Sequence, residues 1–87
     1  MMNISVELTL MPLQDDYRKH IVGFIQKLRA SNLIVKENAL STQVFGPYDE
    51  VMQIVNTELK EAFNNANAII ANIKIVKSDR SNYEPSF

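Results

Sequence analysis

The sequence predicts an α+β fold, a four-stranded antiparallel sheet with two helices on one face. Three observations carry this. The stretches 3–11 and 68–76 alternate side chains with the period of a strand. The stretches from Tyr17 to Leu28 and from Val51 to Phe63 repeat apolar residues at helical spacing. The 87 residues leave room for one core and no second lobe.

The first strand puts Ile4, Val6, Leu8 and Leu10 on one side and Ser5, Glu7, Thr9 and Met11 on the other. Pro12 ends it, because proline cannot donate to a ladder. Asp15 and Asp16 offer an N-cap and first-turn negative charge. The helix that follows buries Tyr17, Ile21, Phe24, Ile25 and Leu28 and wets Lys19, Gln26, Lys27 and Arg29. Gly23 within it would permit close packing. Ser31-Asn32 is the expected stop, since Asn tolerates the left-handed conformation.

Residues 33–36 form a short strand, Glu37-Asn38 a tight connection, and residues 39–46 a long strand, which together read as a hairpin. Gly46-Pro47 opens the second helix, with Pro47 suited to its first position and Asp49 and Glu50 to its first turn. Its apolar stripe is Val51, Met52, Val55, Leu59, Ala62 and Phe63. Asn64-Asn65-Ala66-Asn67 breaks it. The last strand carries Ile69, Ala71, Ile73 and Ile75 on one face. One domain over residues 1–77 is expected, with 78–87 a loose, aperiodic tail. The order is β-α-β-β-α-β, the ferredoxin-like arrangement, with the first and third strands central.

Composition excludes several classes. No cysteine is present, so there is no disulfide framework and no thiolate metal site. That fits the cytoplasm, as does an amino terminus without the pattern of a signal peptide. No apolar run approaches the roughly 20 residues of a membrane span. The net charge of -1 argues against a nucleic-acid or anionic-membrane binder. An RNA-binding sheet would need more aromatic and basic residues on its open face than Phe45 and Lys74.

Catalysis has no support either. The single histidine, His20, reads as a helix-boundary residue, and no serine has a visible base partner. Asp15/Asp16 and Asp49/Glu50 read as helix-start carboxylates rather than catalytic pairs. The carboxylates lack metal-site spacing, and Gly23 and Gly46 cannot form a phosphate cradle. No cofactor and no metal are expected.

The uncovered sheet face is the remaining candidate. By alternation it carries Ser5, Glu7, Thr9, Met11, Ser41, Gln43, Phe45, Ile70, Asn72, Lys74 and Val76. It is too apolar for plain solvent surface and too polar for core, so it suits a ligand, another subunit, or both. Glu7 stands out as a mid-strand carboxylate on a central strand. Either it is a surface charge paired with Lys74, or it accepts hydrogen bonds from an amino-bearing ligand. Met11 and Phe45 could flank a flat ring or pack on another subunit. Thr42 falls on the helix side by alternation, with Leu40 and Val44, unless a bulge turns it.

Ser-Val-Glu-Leu-Thr-Leu-Met-Pro-Leu (5–13), Leu-Ser-Thr-Gln-Val-Phe-Gly (40–46) and Asp-Glu-Val-Met (49–52) resemble the YkoF-like thiamine/hydroxymethylpyrimidine-binding proteins, single-domain type. The resemblance covers nearly all of residues 3–76. Met11 stands where tandem-domain members commonly have tyrosine, and Ser31-Asn32 where single-domain members have a glycine-containing turn. The resemblance implies a ferredoxin-like domain that binds thiamine or its pyrimidine precursor without catalysis, as a carrier or sensor. It makes Glu7, Thr9, Met11, Ser41, Thr42, Gln43 and Phe45 the candidate pocket. A homodimer or homotetramer is expected from the semi-apolar face. The alternative is a regulatory or structural assembly module of the same topology, with no thiamine ligand.

Overall fold

The computed structural model describes residues 2–13 and 17–86, with backbone alone for residue 12 and residues 17–20. Its elements are β1 (Asn3–Pro12), α1 (Tyr17–Arg29), β2 (Ile34–Glu37), β3 (Thr42–Pro47), α2 (Tyr48–Asn65) and β4 (Ile69–Val76). All strand pairs are antiparallel in the order β2-β3-β1-β4, so the strands expected at the centre are there. The fold is the α+β ferredoxin-like one that the element order implies.

Strand alternation builds the core. Ile4, Val6 and Leu8 of β1 point to the helix side and are at most 3% exposed. Val44 of β3 lies opposite Val6 in the ladder. Phe24 and Leu28 of α1 and Val51, Val55 and Ala62 of α2 close over them. Fully burying one leucine-sized side chain is worth about 1.5–3 kcal/mol, so this cluster holds the helices to the sheet. The helices pack chiefly over β1 and β3. Ile73 and Ile75 of the edge strand β4 therefore stay open although they share the helix side.

Several local expectations change. The third strand begins at Thr42, not at 39, because Asn38–Ser41 form the hairpin loop. Asn38 Oδ1 accepts from the amides of Leu40 and Ser41, and the Asn38 amide donates to the Ser41 carbonyl. Leu40 is consequently in the loop and exposed. Helix α1 stops through a hydroxyl rather than a left-handed Asn32. Ser31 Oγ donates to the Leu28 carbonyl, and no non-glycine residue among those described has positive φ.

Pro47 ends β3 and caps α2 instead of occupying its first turn. Gly46 is needed for close approach, since a Cβ there would sit 2.7 Å from the Leu33 side chain. Gly23 is the opposite case: a Cβ there would meet nothing, so it leaves space between the helices. Phe63 faces outward, and Glu58 takes a buried place on α2. The Asp15/Asp16 cap and the His20 side chain lie outside the described residues.

Candidate functional site

The site starts from the registers of the two inner strands. Glu7 of β1 lies opposite Gln43 of β3 on one side and Lys74 of β4 on the other. Gln43 is in turn opposite Lys36 of β2. One polar row therefore crosses the sheet, and its parity puts these side chains on the face without helices.

Glu7 is the hub of this row. Ser41 Oγ donates to Glu7 Oε2 at 3.0 Å, and Gln43 Nε2 donates to Ser41 Oγ at 2.8 Å. Lys74 Nζ stands 3.7 Å from Glu7 Oε1. The surface pair with Lys74 and the hydrogen-bonded cluster thus coexist at one carboxylate. The hairpin loop fixes the donor: the Asn38 turn delivers Ser41 beside β1 just before β3 begins.

Phe45, opposite Ser5 and Ile34, occupies the next row. It is only 6% exposed, on the side that no helix covers. Part of its cover is Lys36, whose Nζ lies 5.7 Å from the ring centroid. The aperiodic segment after β4 also reaches this side. Ser5 Oγ donates to the Ser78 carbonyl at 2.7 Å and accepts from the Arg80 amide at 2.9 Å. Lys36 Nζ donates to the Ser81 carbonyl, and Ser81 is buried. Asp79 Oδ1 takes the Ser81 amide at 2.9 Å, and hydrogen bonds from Ser81, with Lys36 nearby, hold the Asp79 carboxyl below its usual range.

Two cavities use the residues named from sequence. A groove of about 340 Å³ on the open face has Glu7, Gln43 and Phe45 in its floor, Lys74 at its side, and Arg80 and Tyr83 from the terminal segment. A smaller slot of about 240 Å³ lies where β3 gives way to the hairpin loop, against α1. Thr9, Ser41 and Thr42 line it together with Phe24 and Ile25. Ser41 joins the two, since it lines the slot and bonds Glu7 of the groove. Met11 lines neither and is exposed at the far end of β1, opposite Ile70. Thr42, buried and opposite Leu8 and Glu37, stays on the helix side as its parity requires.

Sequence reasoning missed Arg80 and Tyr83, because a segment without period gives no signal of where it docks. It also missed Glu58. Between α1 and α2 another cavity, of about 330 Å³, lies over Gly23 and is lined by Lys27, Glu58 and Glu61. Lys27 pairs with both glutamates, and the hydrogen bond it donates to Glu61 raises its pKa. Among the described residues no group of three or more His, Cys, Asp or Glu could hold a metal ion. No helix of the described residues is long and apolar enough to cross a membrane.

Comparison with known proteins settles the family. The family model described as thiamine-binding protein matches residues 6–85. The chain belongs to that thiamine-binding protein family. A protein from Streptococcus pneumoniae has the same fold at a TM-score of 0.84 and 25% identity, over 93% of this chain and 92% of that one. A candidate thiamine biosynthesis/salvage protein from Thermotoga maritima superposes at 0.75 with 19% identity, over 84% and 81% of the two chains. A hypothetical protein from Methanocaldococcus jannascii does so at 0.76 with 22% identity, over 97% and 87%. The last two likenesses speak to fold alone. No curated protein matches.

Proposed function

We propose that this protein binds thiamine or its hydroxymethylpyrimidine half in the open-face groove, without catalysis, as a carrier or sensor. The observation that carries the reading is the pair Glu7 and Gln43 in the groove floor, joined through Ser41 behind it, in a chain of the thiamine-binding family. An aminopyrimidine needs an acceptor for its amino group, a donor for a ring nitrogen and flat apolar contact. Glu7 supplies the first, the Gln43 amide or Lys74 the second, and Phe45 with Tyr83 the third. Volume favours the groove over the slot. Small-molecule sites span roughly 300–1,000 Å³, a range that includes the groove and lies above the slot. In this reading Thr9 and Thr42 back the site, Met11 stands outside it, and no cofactor takes part. The protein works in the cytoplasm as a homodimer or homotetramer.

Calorimetric titration with thiamine and hydroxymethylpyrimidine tests this. Wild type gives saturable heat, Glu7→Ala loses most of it, and Thr42→Val keeps it. Absence of heat in wild type at millimolar ligand ends the proposal.

A second reading has its own support. Met11, Ile34 and Ile70 are large apolar side chains exposed on the open face, at 55%, 52% and 43%. In that reading the face is only a subunit contact of an assembly module. Sedimentation with and without thiamine separates the two: an assembly that forms regardless of ligand, with no calorimetric signal, favours the second.

A further inference from the structure

We propose that the terminal segment 78–83 is part of the binding site, a fixed strap that sets the Tyr83 ring as the wall of the groove facing its sheet floor. This rests on the open-face reading above. The ligand class it selects is a flat, amino-bearing heterocycle, held between Tyr83 and the Glu7–Gln43 floor.

The strap is built rather than merely adjacent. It leaves β4 at one edge of the sheet, crosses β1 at Ser5 and reaches Lys36 on β2 at the other edge. Ser5 is spent on it: a hydroxyl on a central strand, 6% exposed, gives one hydrogen bond and takes another from backbone 73 and 75 residues away in sequence. Ser81 is 3% exposed beneath the turn. The segment 78–82, Ser-Asp-Arg-Ser-Asn, has no apolar side chain to order it. Its order therefore comes from these polar anchors, because buried backbone groups must find partners.

The anchors fix a turn, closed by the Tyr83 amide on the Arg80 carbonyl at 3.2 Å. That turn sends Arg80 and Tyr83 to the groove, where the Tyr83 residue remains 65% exposed. A large ring left mostly exposed at a groove lined by Glu7, Gln43 and Phe45 is poorly explained as core packing. It is well placed to stack on a planar ligand, whose own face would cover it.

The test compares wild type, Tyr83→Ala, Tyr83→Phe and a chain ending at residue 77, by titration with hydroxymethylpyrimidine and thiamine. Hydrogen exchange of the 78–83 amides is followed with and without ligand, and circular dichroism confirms folding. The expected result is a loss of roughly tenfold in affinity for Tyr83→Ala. Tyr83→Phe stays near wild type, the truncation loses at least as much as Tyr83→Ala, and ligand slows exchange in the strap. If wild type binds while Tyr83→Ala and the truncation bind within twofold of it, the strap is no part of the site. If the truncation binds more tightly, the strap competes with ligand and the proposal is overturned. No binding by wild type removes the open-face reading itself, and this proposal with it.

Discussion

Each side of the sheet buries an aromatic ring and sets a glutamate beside a lysine, and the two sides do so to different ends. On the helix side Phe24 is 5% exposed within the contiguous core, and Glu58 meets Lys27 at 3.6 Å. On the open side Phe45 is 6% exposed outside that core, and Glu7 meets Lys74 at 3.7 Å. Glu58 is nine-tenths buried and its Oε1 accepts no hydrogen bond. Glu7 is 44% exposed in its side chain and has a serine donor. Burying a charge costs free energy that only full pairing offsets, so an under-paired buried carboxylate ties helices at some expense to stability. A paired, accessible carboxylate pays little and is free to meet a ligand.

The rings give the largest expected difference. Phe24→Ala opens a cavity in the main core and should destabilise by about 3–5 kcal/mol. Phe45→Ala should cost less, because its cover includes the flexible Lys36 side chain, which can settle into the space. Hydrogen exchange in the 78–83 segment should then rise without any change in the core strands. Urea denaturation of both variants measures the gap. Equal losses would mean that the open side is as much core as the helix side, and the contrast would fail.

The glutamates come next. Glu7→Gln should lower affinity for an aminopyrimidine roughly tenfold to a hundredfold, the range for a hydrogen bond to a charged group. Its effect on stability should stay below about 1 kcal/mol, because the pair is solvent-facing. Glu58→Leu should reverse this, leaving affinity unchanged and stability unchanged or higher, since an apolar replacement removes the desolvation cost. A Glu58→Leu protein that binds ligand poorly would mean that the helix side contributes to the site.

The fold was legible because periodicity is a backbone property. The alternation of Ile4, Val6 and Leu8 and the helical spacing of Phe24 and Leu28 found the core directly. Parity also placed Thr42 correctly on the helix side. The candidate groove was legible only where a strand carried its lining, as at Glu7, Gln43 and Phe45. Ser41 was named on a strand that does not extend to it. Its role depends on an Asn38 turn, a side-chain effect that hydrophobic pattern cannot show. Arg80 and Tyr83 lay beyond reach for a related reason: Ser5 fixes their position from the far end of the chain. Glu58 sits on the buried stripe of α2 where an apolar residue is the ordinary expectation, so only the helix pair reveals it.

The smallest effect concerns a third glutamate, which separates charge pairing from burial. Glu37 at the end of β2 receives Arg29 of α1 through two hydrogen bonds of 2.6 Å, in solvent. The Arg29 hydrogen bonds hold the Glu37 carboxyl below its usual value of 4.5. A carboxylate depressed on folding adds stability that is fully present above its unfolded pKa and is lost as pH falls through the folded one. The gain from Glu37 should therefore hold at neutral pH and fade below pH 4.5. The same pair raises the Arg29 pKa further, beyond any pH at which the protein would be studied. Comparing wild type with Glu37→Gln at pH 7 and pH 3 cancels the other titrating groups. The difference should be small at pH 7, shrink with added salt and be smaller at pH 3 than at pH 7. A gap that widened toward acid would reverse the assigned sign and show that Glu37 is worth more protonated than paired.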